Sequence, residues 1–276
     1  KIQPDIVHTA AAEANFHGVI AAKLAGVKVV IAEEIGFPNH SRFARFVFKN
    51  CYRLVDKVVC VSQAVKDYLF KIQELSDNDK GIVIYNPVST PKVVEVTQSE
   101  TFTVVSVGRL EAVKNQQLLI KAFAQLEDKN SKLILVGDGR ERTTLEKLIL
   151  DLHIENRVEI TGFVSEPEHY LAQADLFVLT SHSEGFGIAV VEAMKLGVPC
   201  LCSNVGGIPE FVTEGETGWL FDPKKESEFF NKLSSITKLS AEELSGIGAN
   251  AKRAVQNRFS SQEYVSNLEK LYQELI

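Results

Sequence analysis

The sequence predicts an α/β protein with two doubly wound domains. Short β-branched runs alternate with segments of helical period along the chain, which is typical of βα units around a parallel sheet. At 276 residues the chain is long for one hydrophobic core, and its 45% hydrophobic and 24% charged residues are those of an ordinary folded protein. The alternation breaks once, at residues 86–100, where turn and extended-chain residues replace the apolar period. We therefore expect a linker there.

The first domain is predicted over residues 1–92. Ser62 is a typical N-cap for its third helix. A complete doubly wound sheet usually has more strands than the pattern gives here, and the chain starts without an initiator Met, so we expect this domain to be incomplete. Its strands are expected at residues 5–8, 27–32, 57–61 and 82–85, and its helices at residues 12–25, 41–54 and 62–74.

The second domain is predicted over residues 93–258 as a longer and complete series of the same kind. Its strands are expected at residues 101–107, 132–137, 157–160, 175–180, 198–202 and 219–221. Its helices are expected at residues 115–126, 141–152, 166–173, 188–196, 208–212, 223–237 and 241–256, and a terminal helix follows at residues 261–275. One buried stripe is predicted from the helical spacing of Leu145, Leu148, Ile149 and Leu152.

Charge and composition exclude several classes of protein. The formal net charge is −6, which argues against nucleic acid as the main partner because such binding needs a broad basic face. Residues 1–90 nevertheless hold 11 Lys and Arg against 9 Asp and Glu, so the first domain is slightly basic. The four cysteines lack metal-ligand spacing, and no apolar run is long enough to span a membrane. The sequence thus predicts a cytoplasmic protein without a metal site.

Two cations follow the first strand of the second domain. Arg109 and Lys114 come directly after that strand, and in an open α/β sheet ligands collect at the carboxyl ends of strands. An Arg fork and a Lys point charge at this spacing can hold successive phosphates of a diphosphate. Two solvated loop charges are the alternative, and the pair alone does not decide between them. The next strand leads into Gly137-Asp138-Gly139, which lets a ligand approach the backbone or is only a tight turn.

The segment 181–194 is the strongest candidate site. A glycine-flanked turn carries Glu184 after a strand, and a helix that starts near Ile188 carries Glu192 in its second turn. The turn is predicted to leave the backbone N–H groups from Phe186 to Ile188 unpaired at a helix N-terminus, where an anionic phosphate binds. Carboxylates on either side can accept hydrogen bonds from hydroxyls. This pattern favours a nucleotide sugar as the ligand.

Two other interpretations of these carboxylates stay open. A glycosidase also places two carboxylates around a glycosidic bond, but it does not need the neighbouring glycines and cations. Alternatively, Glu192 is a solvated helix residue. Its apolar neighbours Val191 and Ala193 instead predict a mostly buried helix, in which an unpaired Glu is costly.

Taken in order, these motifs resemble the retaining GT-B glycosyltransferases of family 4, the glycosyl transferases group 1. The resemblance implies two Rossmann-like domains that face each other across a cleft, with the first incomplete. It also implies that residues 259–276 form a terminal helix that crosses back to the first domain. The matching segments are Arg109 with Lys114, Gly137-Asp138-Gly139, residues 161–164, Glu184 with Glu192, and residues 197–199, 206–210 and 215–220.

The resemblance also implies roles for individual residues. Glu184 would face the transferred sugar and Glu192 the ribose, while Phe163 and Val164 would offer their backbone to the base. Catalysis by Glu184, Arg109 and Lys114 would consist of leaving-group stabilisation and positioning, without a cofactor or a metal. The remaining donor contacts would come from Gly108, Gly137, Asp138, Phe186, Gly187 and Ile188.

The first domain offers a histidine and a basic helix as candidate acceptor-side features. His8 ends the first strand, but Ala10 replaces a second His that the family often shows, so a structural role for His8 is also open. Four cations recur along the helix predicted at residues 41–54, beside an aromatic stripe. Such a helix can meet an anionic membrane or a lipid-linked acceptor, or it is a solvated face. The four cations are Arg42, Arg45, Lys49 and Arg53.

We therefore expect a retaining hexosyltransferase that moves a sugar from a nucleotide diphosphate sugar to an acceptor hydroxyl, in cell-surface polysaccharide or glycolipid synthesis. Its partners would be the nucleotide sugar, a sugar or lipid-linked acceptor, and an anionic membrane surface, to whose inner face it would bind peripherally. A non-catalytic nucleotide-sugar-binding remnant and a GT-B-like nucleotide-sugar epimerase are the alternatives. The sequence leaves the donor sugar, the base and the acceptor open.

Overall fold

The computed structural model describes residues 2–77, 79–89 and 101–276. The chain forms two compact units. The first comprises Lys1–Pro87, Glu184–Phe186 and Phe259–Ile276, and the second comprises Val88–Ser183 and Gly187–Arg258. The predicted linker is described only as far as residue 89, and the predicted domain boundary between residues 92 and 93 lies outside the described residues.

The first unit is built on a parallel sheet, and its described strands have the order β1-β2-β3-β4. Every residue of β2 is buried, as expected for an inner strand that is covered on both faces. The hydroxyls of Ser41 and Ser62 cap the helices that follow them, since each accepts a hydrogen bond from a backbone N–H three residues later. The elements are β1 (Ile6–Ala10), α1 (Ala12–Leu24), β2 (Val29–Glu34), α2 (Arg42–Leu54), β3 (Lys57–Cys60), α3 (Gln63–Lys71) and β4 (Gly81–Val83).

The second unit is built on a longer parallel sheet, whose described strands have the order β10-β9-β8-β5-β6-β7. Its strands are β5 (Thr103–Val107), β6 (Lys132–Val136), β7 (Val158–Gly162), β8 (Leu176–Leu179), β9 (Cys200–Ser203) and β10 (Trp219–Phe221). Its helices are α4 (Gln116–Ala124), α5 (Arg142–Asp151), α6 (Glu168–Ala172), α7 (Ile188–Leu196), α8 (Glu226–Ile236) and α9 (Ala241–Val255).

The core of the second unit forms where the helices cover this sheet. The predicted stripe on α5 faces it: Leu145 and Ile149 are buried, and Leu148 and Leu152 pack against the same cluster. A capping box fixes the start of α9, because the Ser240 hydroxyl and the Glu243 carboxylate each accept a backbone N–H of the other residue. The apolar period therefore sets the buried face of α5, and local capping sets the start of α9.

The last helix, α10 (Ser261–Leu275), packs within the first unit. Its buried Leu271 joins the apolar residues of the sheet, and Tyr264, Leu268 and Tyr272 pack against the same cluster. This helix closes one face of the first sheet. The other buried residues of the cluster are Val29, Ile31 and Val59 of the sheet and Ile84, which directly follows β4.

The predicted fold class is confirmed, since both units are α/β with parallel sheets. The helix predicted at residues 208–212 is wrong: only a 3-10 turn, Ile208–Glu210, forms around Pro209. Helix α3 ends before residue 74, and Gln73 has a positive φ of 63°. A short 3-10 turn over Ala112–Lys114 was not predicted. Across residues 2–77, 79–89 and 101–276, no helix has the length and apolarity to cross a membrane.

Candidate functional site

The strand order of the second unit creates a topological switch point between β5 and β8. These strands are neighbours, but the chain runs from β5 toward β6 and β7 on one side, and from β8 toward β9 and β10 on the other. Ligands of open α/β sheets bind in the crevice at the carboxyl ends of strands at such a point. The loops after β5 and β8 carry Arg109, Lys114 and the turn that leads to Ile188, which are sequence-predicted site residues.

The loop after β5 is held rigidly beside the end of β8. The Thr180 hydroxyl donates to the carbonyls of Lys114 and Asn115, at 3.1 and 2.9 Å. The side-chain amide of Gln116 donates to the Arg109 carbonyl at 3.0 Å. Arg109 is exposed and Lys114 half-buried. A methyl group built on Gly108 would lie 4.0 Å from Cε of Lys114, so the lysine stem runs back along the end of β5.

The Gly137-Asp138-Gly139 turn serves close packing of loops. A Cβ on Gly137 would lie 2.0 Å from the Gly108 carbonyl oxygen, and one on Gly139 would lie 2.3 Å from that of Leu110. The N–H of Gly137 donates to Gly162 O at 3.0 Å, and the N–H of Gly139 donates to the Asp138 carboxylate at 2.8 Å. These two amides are therefore already paired. The glycines bring the loops of neighbouring strands together instead of offering their N–H groups to an anion.

Phe163 and Val164 follow β7 at the same edge of the sheet. Gly162 ends the strand with a positive φ of 79°, and its carbonyl accepts the N–H of Gly137. The Phe163 ring is 82% exposed and Val164 is half-buried. Beside Gly162, Arg142 pairs with Asp138 at 3.2 Å. Phe163 and Val164, the residues predicted to contact the base, therefore directly follow the glycine that packs against the Gly137 loop. The Asp138 carboxylate pairs with Arg142 and accepts the N–H of Gly139.

The start of α7 offers unpaired backbone donors. Gly187 precedes the helix with φ of 105°, and its carbonyl accepts from Val190 and Val191. In the described part of the chain, the N–H groups of Ile188 and Ala189 have no acceptor. They carry the partial positive charge of a helix N-terminus, which favours an anion. The N–H of Ile188, a predicted phosphate donor, thus lies at this helix terminus, and the N–H of Ala189 lies beside it.

Glu192 lies on α7 beside an acidic residue that the sequence reading missed. Burial raises the pKa of the Glu192 carboxyl, and the nearby charge of Glu168 on α6 raises it further. Oε2 of Glu168 is buried and has no hydrogen-bond partner among the described residues. Glu168 and Glu192 are half-buried neighbours, and in the described chain neither forms an ion pair with a cation. Together, their carboxyl groups can accept hydrogen bonds from vicinal hydroxyls. Only helix packing reveals Glu168, because nothing in its sequence context distinguishes it.

Glu184 and Phe186 pack with the first unit. The Ser62 hydroxyl donates to the Gly185 carbonyl at 2.7 Å, and a Cβ on Gly185 would lie 2.7 Å from the Ile35 carbonyl oxygen. The Phe186 ring is buried against Phe259 at a centroid distance of 5.0 Å. The short segment 184–186 is therefore fixed by close backbone approach and by aromatic packing.

His8 lies beside two polar side chains of the first unit, but its buried Nε2 has no hydrogen-bond partner among the described residues. Its Nδ1 lies 2.8 Å from the Tyr272 hydroxyl, and its Nε2 lies 3.5 Å from Oε2 of Glu33. Burial lowers the pKa of His8 and raises that of Glu33, because it disfavours the charged form of each group. The other first-unit candidates, the four cations, lie on α2.

The described residues contain no group of three or more His, Cys, Asp or Glu side chains that could hold a metal ion. All four cysteines are buried, and none of them forms a disulfide. Burial raises the pKa of the Cys60 thiol to about 12, so it is a poor ligand and nucleophile.

Two family models match the chain. The model described as "Glycosyl transferases group 1" matches residues 90–254, and "Glycosyltransferase Family 4" matches residues 1–92. Among curated relatives, N-acetyl-alpha-D-glucosaminyl L-malate synthase of Bacillus anthracis is 36% identical over 66% of this chain and 47% of its own length. An Escherichia coli enzyme, UDP-Gal:alpha-D-GlcNAc-diphosphoundecaprenol alpha-1,3-galactosyltransferase, is 26% identical over 99% of this chain and 76% of its own. The chain thus spans about half the length of the first relative.

A solved structure matches the fold. Anabaena HepE in complex with UDP superposes with a TM-score of 0.85 and 25% identity, over 98% of this chain and 79% of that chain. The same protein was solved with UDP-glucose. Both units of the present chain therefore have counterparts in a protein that binds a nucleotide sugar.

Proposed function

The chain belongs to the glycosyl transferases group 1, and we propose that it transfers a sugar from a nucleoside diphosphate sugar to an acceptor hydroxyl with retention of anomeric configuration. The switch-point crevice of the second unit carries this proposal. There, Lys114 is folded toward the end of β5, Arg109 is exposed beside it, and the free N–H groups of α7 follow β8. This is a concentration of positive charge and donors at the place where α/β sheets bind ligands.

The donor diphosphate would be held by charge and by backbone donors. Arg109 presents a planar fork that suits two phosphate oxygens, and Lys114 presents a point charge on a half-buried stem. The N–H groups of Ile188 and Ala189 add a helix N-terminus. As the sugar leaves, negative charge grows on the diphosphate, and these fixed donors would stabilise it without reorganising. We therefore propose transfer that requires neither a metal nor a cofactor.

The nucleoside would extend from the diphosphate along the second unit. Glu192 would accept hydrogen bonds from the ribose hydroxyls, and the backbone of Phe163 and Val164 would meet the base. The raised pKa of Glu192 supports this role, because a carboxylate without a cation gains most from hydroxyl donors. UDP and UDP-glucose in Anabaena HepE make uridine nucleotides the first donors to test.

The transferred sugar would be positioned by Glu184. Retention would follow from attack on the leaving-group face, so the protein supplies orientation and leaving-group stabilisation instead of a nucleophile. The name of the Escherichia coli relative specifies a lipid diphosphate acceptor. We extend this to a lipid-linked or polysaccharide acceptor, to cell-surface polysaccharide or glycolipid synthesis, and to peripheral binding at the inner face of a membrane.

The test is an acceptor-dependent release of nucleoside diphosphate. The chain is incubated with UDP-glucose, UDP-galactose or UDP-N-acetylglucosamine, with and without a panel of glycosyl-lipid acceptors and in the presence of EDTA. We expect release only when donor and acceptor are both present, and NMR of the product should show the donor's anomeric configuration. Interconversion of nucleotide sugars without acceptor would indicate an epimerase, and donor binding without turnover would indicate a binding remnant. Either result overturns the proposal.

A further inference from the structure

Helix α2 has three distinct faces. Phe48, Cys51 and Tyr52 are buried and anchor the helix to the first unit. The Phe48 ring stacks on the His40 ring at a centroid distance of 4.1 Å, and the centroid of the Tyr52 ring lies 5.8 Å away. The other two faces are directed away from this core. The helix is therefore firmly attached by one third of its circumference and presents the rest to its surroundings.

One outer face is a row of cations. At 100° per residue, Arg42, Arg45, Lys49 and Arg53 fall within one narrow stripe along the helix. The helix contains no acidic residue, and in the described part of the chain none of the four cations forms a salt bridge. Arg45 is partly compensated, since its Nε donates to the His40 carbonyl and it lies near Glu74. Arg42, Lys49 and Arg53 remain as uncompensated charges.

The neighbouring face is exposed and mainly apolar, with the half-buried Asn50 as its polar member. Phe43, Phe46 and Leu54 share one stripe and are 77%, 65% and 50% exposed. Large side chains with this exposure cost free energy in water, and three on one side of a short helix form a patch instead of isolated exceptions. A row of cations beside a row of phenyl groups is the composition of a helix that lies in a lipid interface.

We propose that the α2 face, defined as Arg42, Phe43, Phe46, Lys49, Arg53 and Leu54, docks the first unit on the surface of an anionic bilayer. The phenyl and leucyl groups enter the acyl boundary, while the cations stay at the level of the lipid phosphates. This inference specifies the surface that would bind the membrane in the proposed function. Its biological purpose rests on that function, but vesicle binding itself can be tested without donor or acceptor.

The pattern favours a bilayer over other anionic partners. A nucleic acid would need cations spread over a broad surface, whereas the chain carries a net charge of −6 and the α2 cations form one line. An acidic protein segment would pair with the cations but leave the phenyl row in water. A bilayer satisfies both rows at once, since headgroup charge and hydrocarbon lie a few ångströms apart.

The test is flotation of the full chain with vesicles of phosphatidylcholine alone or with 30 mol% phosphatidylglycerol. We expect binding to the anionic vesicles and weak binding to the zwitterionic ones. The triple variant R42Q/K49Q/R53Q should lose about 100-fold in partitioning, at roughly fivefold per cation. A matched control, K28Q/K71Q/K224Q, removes the same charge from exposed lysines elsewhere and should change partitioning little.

The apolar row is tested separately. F43S/F46S should lower partitioning at least about tenfold, and unlike the charge effect this loss should persist at high salt. L150S, which removes an exposed leucine from the second unit, is the control. Thermal unfolding verifies that each variant folds, and UDP affinity, measured in parallel, should be unchanged.

Three results would overturn docking by the α2 face. They are equal binding to both vesicle types, unchanged binding by either the triple or the double variant, and binding to polyanionic RNA but not to vesicles. None of them depends on transfer activity. Failure of vesicle binding with intact UDP binding would therefore remove the membrane inference and leave the transferase proposal untouched.

Discussion

The two sheets of this molecule are both parallel, yet their polar residues are used in opposite ways. In the first unit, polar groups near the ends of β1 and β2 are buried and bonded to one another. Asn15 donates to Glu34 at 3.3 Å and to the Glu33 carbonyl at 2.9 Å, and the Tyr52 hydroxyl donates to Glu34. In the second unit, the strand ends present exposed Arg109 and unpaired N–H groups at Ile188 and Ala189.

This difference indicates which of the two regions has hydrogen-bonding groups left to bind a ligand. A buried, mutually satisfied cluster contributes to stability and specificity of the fold, whereas unpaired donors retain their capacity for a ligand. Sheet topology alone does not distinguish the two regions. We therefore expect substitutions in the buried cluster of the first unit to change the free energy of unfolding. Substitutions at the switch point of the second unit should instead change nucleotide affinity.

The largest effect is expected at Gly137, where the loops around the switch point of the second unit pack closely. Gly137→Ala places a Cβ 2.0 Å from the Gly108 carbonyl oxygen at a φ of 146°, so the loops must separate. We expect a loss of about 3 kcal/mol in stability, measured by calorimetry, and loss of UDP binding. Gly246→Ala is the control, because its Cβ meets nothing within 4 Å in α9 and should stabilise the helix by up to about 1 kcal/mol. Equal melting temperatures for both variants would contradict the packing role.

Arg109→Ala tests the donors of the open site directly. In the proposed role of Arg109, loss of its charge-assisted contact to phosphate should weaken UDP binding by about 2 kcal/mol, or roughly 30-fold, and leave uridine binding unchanged. Titration calorimetry measures both ligands. Arg140→Ala removes another exposed cation, at the next loop, and should have no such effect. A constant ratio of UDP to uridine affinity in the Arg109 variant would remove the phosphate role.

Tyr52→Phe tests the closed cluster. It removes a donor from the buried Glu34 carboxyl, whose pKa burial already raises, and should cost about 1–2 kcal/mol of stability. UDP affinity should not change, and that is the measurement that separates the two regions. A drop in affinity without a drop in melting temperature would reverse the assignment of this cluster.

The smallest effect is expected at Glu168→Gln. A carboxyl with a raised folded pKa, such as Glu192, binds protons more readily in the folded state, so stability falls as pH rises from the ordinary carboxyl range through the raised pKa. Removing the Glu168 charge should lessen this fall by less than about 1 kcal/mol. Melting temperatures from pH 4 to pH 8 should separate from wild type only toward the upper end. A uniform offset at every pH would mean that the carboxyls are not coupled.

Much of the fold was predictable because it depends on local pattern. Helix α7 and strand β10 have the predicted bounds, and the predicted stripe on α5 faces the core. The segment at residues 208–212, predicted as a helix, forms only the 3-10 turn Ile208–Glu210. At the candidate site, the positions of Arg109 and Lys114 at a strand end follow from sequence. The use of Gly137 as a packing glycine does not, because its neighbour Gly108 is distant in sequence.

The sequence by itself determined the alternation of strands and helices, the cations after β5 and the glycines that allow tight turns, since these depend on spacing within a few residues. Only the tertiary structure decided that β5 lies beside β8, that Glu168 reaches Glu192, and that His8 meets Tyr272 across 264 residues of chain. The physical reason is that periodicity fixes which face of an element is buried, whereas the partner of that face is set by how all the elements pack together.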